Sequence, residues 1–181
     1  MYSADLGSYL IRITKALEKT DVGKALEALR ATSDSGGTIW LVGNGGSAAT
    51  ASHFATDLNK CKDSQGRPIS AMSLCDNTGL ITAIGNDFSF EEIFLRQLIN
   101  LSKPGDLLIV LSASGNSKNL ITAIQWAKSN RVLTLSMTGF DGGLAIGMTD
   151  ISLHVPTQLG DYGVAEDAHS ILCHFLSSQF R

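Results

Sequence analysis

Within the six residues Ser112-Ala113-Ser114-Gly115-Asn116-Ser117 stand three hydroxyls and one glycine. Each hydroxyl can donate one hydrogen bond. A helix opening at Ser117 would add free N–H groups and the positive end of its dipole. Together they suit a dianionic phosphate without a lysine cage. If Ser117 merely capped the helix, one serine would be explained and the other two left to solvent. A second loop, Gly43-Asn44-Gly45-Gly46-Ser47, could let backbone approach a ligand and present a helix N-terminus to an anion. It also satisfies G-x-G-x-x-A through Ala48, with Asp76 as the ribose-binding acid of a dinucleotide site, somewhat beyond the usual spacing of about 20 residues. It could also be a plain strand–helix turn, and the loop alone supports all three readings. The serine loop weighs against a dinucleotide, which needs no second anion loop of this kind.

The other candidates are histidines and carboxylates. His53 and Asp57 are four apart and share a helix face, while Glu166, Ser170 and His174 follow one another at four-residue steps. Two histidines and two carboxylates from two helices could hold a divalent metal such as Zn²⁺, or form an acid–base set. On spacing alone, a helix-surface contact and a core histidine fit as well. Asn86 and Asp87, after Gly85, read as a helix C-terminus with its cap. His154, Asp167 and His169 read as surface polar groups.

Strands are expected at Thr38–Val42, Ile69–Leu74, Leu107–Leu111, Val132–Met137 and Ile151–Val155, short and apolar as in sheets buried on both faces. Helical stretches at about 47–60, 78–84, 90–101, 117–129 and 164–180 separate or follow them. The glycine-rich segment between Gly139 and Asp150 has no clear assignment. The alternation predicts a three-layer α/β/α fold with a five-stranded parallel sheet, flavodoxin-like or Rossmann-like. Ligands then sit beyond the carboxyl ends of the strands, where both loops fall. Two further helices precede the alternation. One, over 5–18, carries Leu6, Leu10, Ile13 and Leu17; the other follows Thr20-Asp21. They would cover a sheet edge or meet another subunit.

The chain has 181 residues, 44% of them hydrophobic and 17% charged, with net charge −3, which fits one globular domain. The absence of a basic stripe argues against a general nucleic-acid or acidic-membrane binder. Cys61, Cys75 and Cys173 form no CxxC pair and read as reduced thiols. With no apolar run of about 20 residues and no secretory pattern at Met1–Asp5, a soluble cytoplasmic protein is expected.

Taken together, the segments resemble the sugar isomerase (SIS) domain, and within it the sedoheptulose-7-phosphate (phosphoheptose) isomerase group. Gly43–Ser47, His53-Phe54-Ala55, Ala83–Asp87, Ser112–Ser117, Thr138-Gly139 with Asp141-Gly142-Gly143, and the histidine-bearing last helix carry the likeness, which runs through nearly all of residues 1–181 as a single SIS domain. The resemblance implies substrate contacts at Asn44, Gly45, Gly46, Ser47, Asn86, Asp87, Ser112, Ala113, Ser114 and Ser117, with further contacts from Asp57 and Glu166. It places zinc or another divalent metal on His53, Asp57, Glu166 and His174, and makes Asp57 and His174 the acid–base pair. It implies isomerisation of sedoheptulose 7-phosphate to an aldoheptose 7-phosphate through an enediolate, in a homotetramer contacted through residues 1–34. Asp57 stands where the group usually has glutamate, Glu166 where it has glutamine, and Ala113 where a hydroxyl is frequent. An aspartate expected at the start of the last helix falls at Gly163, with Asp161 nearby. The alternative is a non-catalytic SIS protein that binds a replication initiator or senses a sugar phosphate; the retained histidine–carboxylate set argues for the enzyme.

Overall fold

The computed structural model describes residues 5–181. Strands β1 (Thr38–Gly43), β2 (Ser70–Ser73), β3 (Leu107–Ser112), β4 (Leu133–Thr138) and β5 (Ile151–His154) form one parallel sheet in the order β2-β1-β3-β4-β5. This is the flavodoxin-like order. Strand residues point alternately to the two faces. Ile39, Leu41, Leu107 and Ile109 join one buried cluster, and Trp40, Val42, Leu108 and Val110 the other. Helices α2 (Gly23–Asp34), α3 (Gly46–Asn59) and α8 (Tyr162–Ser178) cover the first face. Helices α5 (Leu95–Leu101) and α6 (Lys118–Ser129), with α4 (Thr78–Asp87) and α7 (Ala145–Met148), cover the second.

One buried carboxylate ties the amino ends of the central strands together. Asp106, 1% exposed, accepts from the Thr38 backbone N–H at 2.9 Å, the Trp40 indole N–H at 2.9 Å and the Lys103 backbone N–H at 3.0 Å. Three donors are what a buried carboxylate needs to offset lost hydration.

Most expected boundaries fall within a residue or two of the observed ones. The expected helix at 90–101 is instead a 3₁₀ turn, Phe90–Glu92, followed by α5. Burial on both sheet faces holds for β1, β3 and β4, whereas the edge strand β2 alternates exposed and buried residues. Helix α1 (Leu6–Leu17) packs on α8 through Ile13 and Ala16, leaving Leu6 and Leu10 exposed; α2 lies on the sheet face.

His169 is not a surface group. It is 1% exposed on the face of α8 turned to the sheet, and among the described residues its ring nitrogens find no well-formed hydrogen bond, only the Thr138 backbone, which partly favours the protonated ring. Burial, helped by the neighbouring His154, pushes its pKa down from 6.5 to about 4. The folded protein thus binds this proton less readily than the unfolded chain. Its stability contribution is intact above pH 6.5 and declines as pH falls toward 4, amounting to a loss of about 2 kcal/mol at pH 5. Urea denaturation of wild type and His169→Leu at pH 7.5 and 5 should show a smaller acid-side loss in the variant.

Candidate active site

Strands β1 and β3 are neighbours, with Gly43 level with Leu111. The loops following them therefore emerge side by side. Helix α3 then turns to one face of the sheet and α6 to the other, opening the crevice typical of ligand sites in such sheets.

In the serine loop, the Ser112 hydroxyl oxygen accepts from the Gly115 N–H at 3.0 Å, and that of Ser114 from the Asn116 N–H at 3.4 Å. Ser117 occupies the N-cap position of α6, yet its side chain makes no cap bond. Among the described residues none of the three hydroxyls donates to a protein group, and they lie beside the N-terminus of a twelve-residue helix. The unassigned segment after β4 buttresses this loop: a Cβ at Gly143 would lie 2.2 Å from the Ser114 carbonyl oxygen. Ala113 is buried with Phe140 and Ala165, so its methyl group faces the interior. Asn86 and Asp87 are exposed at the end of α4, joined by a 2.8 Å hydrogen bond.

In the glycine loop, Ser47 is buried in the first turn of α3. The Glu166 carboxylate packs so closely on Gly46 that a Cβ there would fall 2.3 Å from it. Asp76, the ribose acid of the dinucleotide reading, accepts from the Ser52 hydroxyl.

His53, Asp57 and His174 converge where α3 and α8 pack together. Nε2 of His53 lies 3.3 Å from Oδ2 of Asp57 and 3.1 Å from Nε2 of His174, which is 3.7 Å from the same Oδ2. A tetrahedral ion with ligands at about 2.0–2.1 Å separates them by about 3.4 Å. The three donor atoms thus match the edges of a zinc-sized coordination shell, and the group could hold a divalent cation. Glu166 stands apart: eight residues of α8 separate it from His174, about 12 Å of helix rise, and it meets the glycine loop instead. Asp57 is buried, while both histidines are more than half exposed. Its other oxygen, Oδ1, faces Lys60 Nζ at 3.0 Å and Arg181 at 3.5 Å. Burial pushes its pKa up, but Lys60, His53 and Arg181 outweigh this and hold it below the usual carboxylate value.

The SIS domain family matches residues 1–139. A phosphoheptose isomerase of Helicobacter pylori (strain Shi470) is 41% identical over 145 residues, covering 80% of this chain and 74% of that protein. One from Shewanella loihica is 37% identical over 158 residues, covering 86% and 79%. The chain belongs to the phosphoheptose isomerase family of SIS-domain proteins. The solved phosphoheptose isomerase of Neisseria gonorrhoeae superposes with a TM-score of 0.86 at 30% identity, covering 96% of this chain and 93% of that one.

At the start of α8, Gly163 stands where the resemblance expects an aspartate. Gly163 abuts the Tyr9 hydroxyl, and Asp161 pairs with Arg12 of α1. Three contributors escaped the sequence reading. Lys60 had a signal, three residues after Asp57 on one helix. Arg181 had none, being 124 residues from its partner. Asn119, 2% exposed, exchanges two hydrogen bonds with Asn44; a polar residue in the first turn of an apolar helix was the available cue. Cobalt(II) titration should give tetrahedral absorption bands in wild type. In His174→Ala, affinity should fall by more than the roughly 10- to 100-fold that losing an outer partner of a ligand costs.

Proposed function

We propose that this protein is a phosphosugar aldose–ketose isomerase that converts sedoheptulose 7-phosphate to D-glycero-D-manno-heptose 7-phosphate. The observation that carries this reading is the set of three undonated hydroxyl protons at the start of α6, in a member of the phosphoheptose isomerase family. Ser112, Ser114 and Ser117 hold the phosphate, with the Ala113 backbone alongside them. Asn44, Gly45, Gly46, Ser47 and Glu166 line the crevice from the other loop, and Asn86 and Asp87 supply further polar contacts. Anchoring the phosphate fixes the open-chain sugar so that its carbonyl end meets the helix-borne groups.

There Asp57 and His174 move the proton between C1 and C2 by way of an enediolate. Lys60 and Arg181 keep Asp57 ionised, so that it can stabilise an imidazolium formed at His174. His53, Asp57 and His174 fit zinc, which when bound would polarise the carbonyl oxygen, with Glu166 directed to the substrate side. The lone pair on Nε2 of His174 cannot both ligate a metal and accept a proton. A metal on these atoms would occupy Oδ2 of Asp57 as well, leaving Oδ1 as the carboxylate oxygen outside the set.

The chain works as one SIS unit in the cytoplasm, a placement supported by its three free cysteines. Among the described residues no helix is long and apolar enough to cross a membrane. A homotetramer is supported by the exposed apolar residues of two helices that pack together, Leu6, Leu10 and Ile11 on α1 and Ile171 and Phe175 on α8.

Incubation of the purified protein with sedoheptulose 7-phosphate should yield the aldoheptose 7-phosphate. Absence of product with and without added zinc would refute the reading. Ser114→Ala and Ser117→Ala should each lower kcat/KM about 10- to 100-fold, as expected for one hydrogen bond to a charged group.

A further inference from the structure

We infer that Asn119 is a positioning residue: its paired amide hydrogen bonds with Asn44 fix the Asn44 side chain and lock together the two loops of the crevice. This rests on the phosphosugar reading of those loops. Asn44 Nδ2 donates to Asn119 Oδ1 at 3.0 Å, and Asn119 Nδ2 donates to Asn44 Oδ1 at 2.9 Å. Asn119 Oδ1 also accepts from the Leu120 N–H at 3.0 Å.

The capacities of the two amides explain the assignment. An asparagine oxygen accepts twice and its nitrogen donates twice. The acceptor side of Asn119 serves both α6, through Leu120, and Asn44. Its donor side bonds only Asn44 and does nothing for the helix. Asn119 is 2% exposed, whereas Asn44 is half-buried in the loop that opens the crevice. The buried partner therefore orients the accessible one. Both Asn44 hydrogen bonds to Asn119 leave one N–H and one lone pair of its amide without a protein partner among the described residues. The bridge spans the point where α3 and α6 diverge to opposite faces of the sheet. It couples the glycine loop to the helix that begins at the serine loop, across 75 residues of sequence.

A cycle of Asn44→Ala, Asn119→Ala and the double variant tests the assignment, read by isomerisation of sedoheptulose 7-phosphate and by thermal unfolding. If Asn119 acts through Asn44, each single variant lowers kcat/KM about 10- to 100-fold, and the double variant falls no further than about twofold below the worse single. Losses that multiply, or an Asn119→Ala variant with unchanged kcat/KM, overturn it. The second measurement is independent of turnover and of whether Asn119→Ala folds. Side-chain amide exchange of Asn119, followed by ¹⁵N NMR, should be slow in wild type and at least tenfold faster in Asn44→Ala. Unchanged protection there overturns the pairing. A wild-type protein that does not isomerise the heptose overturns the proposed function, and the exchange measurement then decides the pairing alone.

Discussion

The pairing of β1 with β3 is the constraint on which the rest of the molecule depends. Ile39 to Gly43 lie level with Leu107 to Leu111, and Asp106 pins the other end of the pair by binding Thr38 and Trp40. A slip of one residue would send each strand's apolar side chains to the wrong face. It would mix the two clusters that Ile39 and Leu41 on one side, and Trp40 and Val42 on the other, keep separate. The same register sets the height at which the two ligand loops leave the sheet. The crevice is thus a consequence of core packing, and the polar residues in it inherit positions already set by apolar ones.

Helix α8 imposes the second constraint. Its buried stripe, Val164, Ala165, Ala168, Leu172, Cys173 and Leu176, packs it on the sheet and α3. Once that stripe is seated, the helical repeat leaves no freedom in where Glu166 and His174 emerge. One reaches the glycine loop, the other His53 and Asp57. His169 belongs to the stripe, adjoining Ala165, Ala168, Leu172 and Cys173 on the helical wheel. Reading the apolar period before the side-chain type would have placed it inside. Its burial follows from helix geometry, which leaves its ring nitrogens without a well-formed hydrogen bond.

Features encoded locally were legible in the sequence. The central strands are continuous apolar runs, the serine loop concentrates donors in six residues, and His53–Asp57 announces itself by helical spacing. What escaped was either long-range or decided by competition. At 90–101 the apolar pattern suggested one helix, but the chain leaves a short 3₁₀ turn before α5, whose Gln97 is held by the Leu74 carbonyl. The segment after β4 looked merely glycine-rich because its role, lying against Ser114 and Gly115, exists only after β3 and β4 pair. Glu166 and His174 share a helix face, so spacing could group them. Only the packing of α8 on α3 reveals that Glu166 meets Gly46 while His174 meets His53 and Asp57.

The distribution of charge then differs between the serine loop and the contact of α3 with α8. Lys118, beside the serine loop, is paired with Glu91 at 3.1 Å, so the donors left without a charged partner at the start of α6 are neutral hydroxyls and backbone amides. At the other end, Lys60 and Arg181 lie on one oxygen of Asp57, leaving the second to the histidines. This division matters because Asp57 is short and buried. A carboxylate free to rotate there would offer either oxygen to either set of partners. Held from one side by cations, it presents its Oδ2 edge to His53 and His174.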